Sequence, residues 1–326
     1  MTISSSSIKS NIIFNRFKVI KTLGSGCVGK VLLVEDLNSK EQYALKILTS
    51  ELPIDNHTYE RFELEFDLQN KIEHQNVIKS YEIFKEDNLI AFTLEYIDGT
   101  ELFDLVDNPK LTNRLVENIL LQIFDGIKEL HLNNIFHRDL KLENIILQKN
   151  GVVKVGDLGL VKGLFTDNLT RTGILLGTAQ YMAPEYIKEC KYTAQSDIYS
   201  LGIVAFELLT KSRRMADLSP NEVIDQVIKN NFSLTEDELE LLDPKYKKFI
   251  FKATAVLEED RYHNVFDLRK ELLLIIANKD TEPKINKAEI KESSKKTKIF
   301  KIDNNIKLDS FETPKKTKLR KLLFWK

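Results

Sequence analysis

Eight residues near the middle of the chain, His137-Arg138-Asp139-Leu140-Lys141-Leu142-Glu143-Asn144, sit between two apolar runs, Asn134-Ile135-Phe136 and Ile145-Ile146-Leu147. A carboxylate (Asp139), an ammonium (Lys141) and an amide (Asn144) fall within six residues. Such groups are not buried unpaired. The stretch is therefore either a loop held between two buried elements, with its polar side chains turned into a cleft, or a charged turn on the surface. What flanks it decides.

Upstream, Leu115, Ile119, Ile123, Ile127 and Leu130 recur at the spacing of one helix face, predicting a long helix from Leu115 to Leu132. Downstream, Gly151-Val152-Val153-Lys154-Val155 reads as a short strand running into Gly156-Asp157-Leu158-Gly159. Residues 161–180 are polar and Gly/Thr-rich, a loop of a length usually functional or unstructured. Asp197 to Thr210 is apolar enough for a central core helix. The N-terminal part differs in character. Phe17 to Leu23, Lys30 to Val34, Tyr43 to Leu48 and Leu89 to Leu94 alternate or are β-branched, predicting a small antiparallel sheet, with Tyr59 to Ile72 as its helix. Residues 1–13 read as an unstructured lead-in.

The first two strands bracket Gly24-Ser25-Gly26-Cys27-Val28-Gly29. In a dinucleotide-binding fold this glycine pattern stands between a strand and a helix. Here Val31-Leu32-Leu33-Val34 follows, a strand former, so the glycines cap a hairpin. There they would let backbone N–H groups approach phosphate oxygens without a Cβ in the way. Lys46 lies inside an otherwise apolar strand, and a glutamate of the helix candidate, which carries Glu60, Glu63, Glu65 and Asp67, could hold it toward a phosphate.

No apolar run approaches the roughly 18 residues of a membrane span, and residues 1–10 lack the apolar core of a signal peptide. Two cysteines, Cys27 and Cys190, make no disulfide framework. The expected location is the cytoplasm. Charge divides the chain: residues 279–326 hold 15 basic and 7 acidic side chains, net +8, leaving 33 basic and 42 acidic before them, net -9. An acidic body carrying a basic tail implies two physically different parts.

Taken in order, Gly24-x-Gly26-x-x-Gly29-x-Val31, Ala44-x-Lys46, His137-Arg138-Asp139-x-Lys141-x-x-Asn144, Asp157-Leu158-Gly159, Ala183-Pro184-Glu185 and Asp197 resemble the motifs of the protein kinases, over roughly Phe17 to Leu274. The runs Leu176 to Glu185 and Ser196 to Ile203 are similar in style to the bacterial, eukaryotic-like (Hanks-type) serine/threonine kinases. Lys141, two residues after Asp139, is what serine/threonine kinases carry. The resemblance implies an α+β, bilobal fold: a β-sheet lobe with one main helix at about 14–97, a mainly helical lobe at about 98–277, and a basic, unstructured tail at 278–326. It also implies an enzyme that moves the γ-phosphoryl group of ATP to serine or threonine hydroxyls of protein substrates, with Mg²⁺ (or Mn²⁺) as cofactor. Nucleic acid is not an expected partner. The alternative is a pseudokinase scaffold that binds ATP without efficient transfer.

By the same resemblance, the loop Leu23, Gly24, Ser25, Gly26, Cys27, Val28, Gly29 covers the phosphates, and Lys46 binds the α- and β-phosphates. Counting nine residues back from His74 selects Glu65 as its partner. Val31, Ala44 and Ile146 flank the adenine, Glu95 and Ile97 offer it backbone hydrogen bonds behind the gatekeeper Leu94, and Glu101 reaches the ribose. Asp157 and Asn144 are the metal ligands. Asp139 accepts the hydroxyl proton, Lys141 neutralises charge on the moving group, and Thr178 bonds to both. Glu185 resembles a structural acid paired with Arg261.

Regulation is also implied. Thr170 and Thr172 stand seven and five residues before Gly177, where the bacterial subgroup carries activating threonines, and Arg138 is a cation ready for a phosphate. Autophosphorylation in trans would require self-association. Three features depart from the family: Leu158 replaces the usual Phe, Gly156 precedes Asp157, and Gln69 falls where an apolar residue would stack on Leu158. A polar Gln69 is expected to weaken that stack and leave the active state marginal, so that Gln69→Leu would raise activity. In the tail, Lys295 to Ile302 and Lys315 to Leu322 form a near repeat ending in Leu323-Phe324-Trp325, a basic and apolar segment suited to an anionic membrane surface or a docking partner.

Overall fold

The alternating N-terminal segments pair into one antiparallel sheet in the computed structural model, which describes residues 11–25, 29–49, 56–86, 89–159 and 179–279. Gly26, Cys27, Val28, Thr170, Thr172, Thr178 and the tail from 280 onward lie outside the described residues. The strands are β1 (Ile12–Ile13), β2 (Phe17–Ser25), β3 (Gly29–Asp36), β4 (Gln42–Leu48), β5 (Ser80–Glu86) and β6 (Leu89–Glu95), in the spatial order β1-β2-β3-β4-β6-β5. Helix α1 (Asn56–Asn70) covers one face, setting Phe62 and Phe66 against Phe92, with ring centroids 4.8 and 5.7 Å apart. The other face buries Phe17, Leu32, Val34, Leu45 and Ile47.

The sheet takes in more than the sequence pattern suggested. Ile12 and Ile13 pair with Lys18 and Phe17, and Ile13 is buried, so the folded part starts within the expected lead-in. Strand β5 was not anticipated. Its sequence, Ser-Tyr-Glu-Ile-Phe-Lys-Glu, lies mostly exposed at the sheet edge and shows no apolar alternation.

The second lobe holds α2 (Leu102–Leu105), α3 (Asn113–Leu132), α4 (Pro184–Glu189), α5 (Ala194–Thr210), α6 (Pro220–Lys229), α7 (Glu236–Glu240), α8 (Pro244–Ala253) and α9 (Val265–Lys279). A second sheet, β7 (Gly99–Glu101), β8 (Ile145–Gln148) and β9 (Val153–Val155), lies between the lobes in that order. Helix α3 starts where the Thr112 hydroxyl accepts from Leu115 N at 3.3 Å. Every residue of α5 from Ser196 to Leu208 is buried, which explains its largely apolar sequence. Among the described residues no helix is long and apolar enough to cross a membrane.

The tie between the two parts is local. Val77 bridges to Val155 of β9, and the Ile78 N–H donates to Val155 O at 2.8 Å. Asn76, buried beneath, donates from Nδ2 to Val153 O at 2.9 Å and to Gln122 Oε1 at 3.0 Å. The segment leading into β5 therefore fixes the first lobe onto β9.

Candidate active site

The polar stretch at 137–144 is a loop between α3 and β8, and it is anchored from below. Asp197, fully buried near the start of α5, accepts from the backbone N–H of His137 (2.9 Å) and of Arg138 (3.2 Å), and from the Tyr192 hydroxyl (2.6 Å). His131 Nε2, near the end of α3, lies 2.8 Å from the same carboxylate. Burial pushes this acid up, but His131, His137 and Tyr192 outweigh it and hold Asp197 below its usual range. The reason for the anchor is conformational. Arg138 takes φ 67°, a left-handed conformation costly for a side chain of its size, and Asp197 holds both amides that define it.

His137 is buried and neutral, because burial outweighs the pull of Asp197, Asp139 and Asp157. Its ring accepts from Asp139 N at Nδ1 (3.3 Å), so Nε2 carries the proton and donates to Gly156 O (3.0 Å). The histidine thus joins the loop to the Gly156-Asp157-Leu158-Gly159 turn. Gly159 completes the join: a Cβ there would lie 2.8 Å from Asp139 Cβ. Only a glycine lets the two loops touch.

Above this base the candidate residues converge. The Lys46 ammonium donates to Glu65 Oε1 at 2.6 Å and to Asp157 Oδ1 at 2.5 Å. Burial alone would lower the Lys46 pKa; the two carboxylates more than reverse that and raise it. Glu65 is buried on α1, whereas Glu63 lies on another face and pairs with Lys85 at 2.7 Å, so the helix presents Glu65 to Lys46. Asn144 Nδ2 donates to Asp139 O (2.7 Å) and Asp139 Oδ2 (2.8 Å), leaving Oδ1 as its other polar atom. The Gly156 N–H donates to Asn144 O at 3.0 Å, which brings Asp157 beside Asn144. Lys141 Nζ is 3.8 Å from Asp139 Oδ2. The Asp157 carboxylate and the Asn144 amide oxygen are hard donors of the kind a divalent cation such as Mg²⁺ would take.

The nucleotide-facing candidates lie around this cluster. Val31 on β3 is in register with Gly24 and with Lys46, and Ala44 with Leu94. Ile146 on β8 is opposite Glu101, which is exposed at the end of β7. Leu23 and Ser25 flank Gly24 on β2, and Ile97 is buried just after β6. Glu95 donates from its backbone to Lys79 O at 2.8 Å, and its carboxylate takes Lys154 Nζ at 2.7 Å. The glycines differ from the expectation that each clears a path to phosphate. A Cβ on Gly24 would meet nothing within 4 Å, but one on Gly29 would sit 2.3 Å from Ile47 O. Gly29 is needed for strand packing.

Some contributors were not found in the sequence reading. Lys154 shares the mark that singled out Lys46, a lysine inside an apolar strand, and could have been found by it. Gln69 was expected to loosen α1. It is buried, and its Nε2 donates to Ile78 O at 2.8 Å. An amide with a partner anchors a helix end, so the expected weakening lacks its physical basis.

Behind the loop, Glu185 and Arg261 form a bidentate bridge, 2.8 Å at both contacts. Glu207 on α5 accepts from the Tyr181 hydroxyl (2.6 Å) and from Arg214 N (2.7 Å). Burial pushes the Glu207 carboxyl up to about 7, helped by Glu143 and opposed by Tyr181 and Arg214. Its folded value exceeds the ordinary 4.5, so the folded state binds the extra proton and this group's contribution to stability declines as pH rises from about 4.5 to about 7. Glu207→Gln should remove that slope. The wild type is expected to lose more thermal stability than the variant between pH 5 and pH 8 in parallel melts; parallel curves would refute it.

Residues 17–272 match the protein kinase domain family. The chain is 35% identical over 199 residues to the serine/threonine-protein kinase PrkC of Bacillus subtilis, covering 61% of this chain and 31% of that protein. It is 30% identical over 269 residues to the serine/threonine-protein kinase PknB of Mycolicibacterium smegmatis, covering 80% of this chain and 43% of that protein. It therefore spans less than half the length of these relatives. The converging loops, the lysine held between α1 and β9, and a domain match over most of its length place this chain in the protein kinase family.

Proposed function

We propose that the chain is an ATP-dependent serine/threonine protein kinase. The observation that carries this reading is the assembled Lys46 cluster, with Glu65 at 2.6 Å and Asp157 at 2.5 Å, above Asp139 and Asn144. Phosphoryl transfer asks a protein mainly for positioning and charge neutralisation. Lys46 holds the α- and β-phosphates, with the Leu23–Gly29 loop covering them and Glu95 and Ile97 bonding the adenine. Asp157 and Asn144 would hold Mg²⁺, which supplies neutralisation of the phosphate oxygens. Asp139 orients the substrate hydroxyl and takes its proton as the new O–P bond forms and the bond to the β-phosphate oxygen breaks. Lys141 neutralises charge on the moving group.

Activation by autophosphorylation of Thr170 and Thr172 fits Arg138, whose exposed guanidinium stands 5.8 Å from the centroid of the Tyr192 ring. Self-association would serve the reaction in trans, and the basic tail would contact an anionic membrane or a docking partner. A cytoplasmic location agrees with this chemistry.

The test is an autophosphorylation assay with γ-labelled ATP and Mg²⁺, followed by mapping of the label. Asp139→Asn should lower incorporation on the order of 10²- to 10⁴-fold. Label should map to Thr170 and Thr172, and the Thr170→Ala/Thr172→Ala protein should be less active on an added substrate. No label in the wild type would favour the scaffold reading instead.

A further inference from the structure

Gln69 lies four residues after Glu65, one turn along α1. It is only 2% exposed, and its amide donates to the Ile78 carbonyl at 2.8 Å. Ile78 is held from its other side too: its N–H donates to Val155 O at 2.8 Å. Its side chain closes over Gly156, where a Cβ would come within 2.4 Å of Ile78 Cδ1. Gly156 precedes Asp157, and Asp157 meets Lys46, which meets Glu65. The contacts form a closed ring: Lys46, Glu65, one turn of α1, Gln69, Ile78, Val155 and Gly156, Asp157, and Lys46 again. Half of the ring is charged and faces the proposed phosphate site. The other half is neutral: Gln69, Val155 and Gly156 are buried and Ile78 is partly so.

We infer that Gln69 is a positioning residue, whose hydrogen bond to Ile78 sets the distance between the helix bearing Glu65 and the strand that delivers Asp157. A buried hydrogen bond has direction, which an apolar stack lacks, and removing its donor leaves the Ile78 carbonyl unsatisfied. Gly156 belongs to the same device, since any larger residue would push Ile78 off its place. The departures from the family at 69 and 156 thus serve one joint. The inference deepens the proposed function and rests on it only for the role of Lys46 and Asp157 in transfer.

Gln69→Met keeps length and apolar bulk and removes the donor. In full-length protein, hydrogen exchange across residues 56–70 should speed up on the order of tenfold in this variant, with α3 and α5 unchanged. Transfer should slow on the order of tenfold in kcat, with a smaller change in KM for ATP. Gly156→Ala should also quicken exchange in α1, and adding Ile78→Ala to it should bring the rate back toward wild type. General loss of stability would quicken exchange everywhere and show no second-site recovery. Wild-type exchange across α1 in Gln69→Met overturns the inference, whatever the activity, as does unchanged or raised kcat in an active enzyme. Absence of transfer by the wild type overturns the proposed function instead, and exchange alone then decides the joint.

Discussion

In Asp157→Asn, phosphoryl transfer is expected to fall on the order of 10³-fold or more, with the melting temperature nearly unchanged. The two halves of that expectation have separate causes. The amide has the size of the carboxylate and keeps an oxygen toward Lys46, and Lys46 retains Glu65 at 2.6 Å. The partly buried lysine is therefore still paired, and the fold is not expected to depend on Asp157. What disappears is a unit of negative charge beside Asn144, where the proposed cation would bind. A neutral amide binds Mg²⁺ poorly, and it holds the Lys46 ammonium less strongly than the carboxylate does, which leaves Glu65 as the charged partner. Steady-state transfer measured over a range of Mg²⁺, with a melt of the same sample, checks both halves. Activity within tenfold of the wild type would remove Asp157 from the metal site.

Arg261→Met acts on stability instead. Glu185 and Arg261 are both buried, and the arginine also donates to Ala255 O, Gln195 O and Val256 O. Burial pushes the Glu185 carboxyl up, but Arg261 and the Ser196 hydroxyl outweigh it, so the folded pKa lies below the ordinary value. The sign follows: the stabilisation is fully present above the ordinary carboxylate pKa and disappears as pH falls through the lowered one. At neutral pH, removing Arg261 leaves a buried, uncompensated carboxylate and unpaired carbonyls, a loss of about 3–5 kcal/mol. For a domain of this size that is a drop of about 10 °C in melting temperature. Adding Glu185→Gln should recover part of it. A melt within 2 °C of the wild type, about the shift that a surface change produces, would show that the bridge contributes little.

Much of the candidate site was legible because its chemistry is concentrated in short runs. Asp139, Lys141 and Asn144 share one loop, and the resemblance to the kinases, counted back from His74, implies Glu65 rather than Glu63, which the structure turns toward Lys85. Strands β3, β4 and β6 showed themselves because each buries several side chains, and β2, which buries only Phe17, through the glycine run at its end. Strand β5 did not, since an edge strand with few buried side chains carries no alternation to read. Strand β7 is three residues long and owes its existence to pairing with β8, a partner some fifty residues on. Gln69 was misjudged for a related reason. A side chain's polarity is written in the sequence, but its hydrogen-bond partner is not, and Ile78 O comes within reach only once the chain has turned back after α1. Gly29 is similar: its glycine is visible, but the carbonyl of Ile47 that requires it belongs to another strand.

Asp197 gives the site the topology of a hub with spokes. One carboxylate, seated in the buried helix α5, receives donors from the end of α3, from two successive amides of the 137–144 loop and from the Tyr192 hydroxyl. A network of that kind is tolerant at its periphery and brittle at its centre. Loss of the Tyr192 hydroxyl or of the His131 ring removes one spoke and leaves the loop amides held. Loss of the hub itself removes the acceptor of both amides at once.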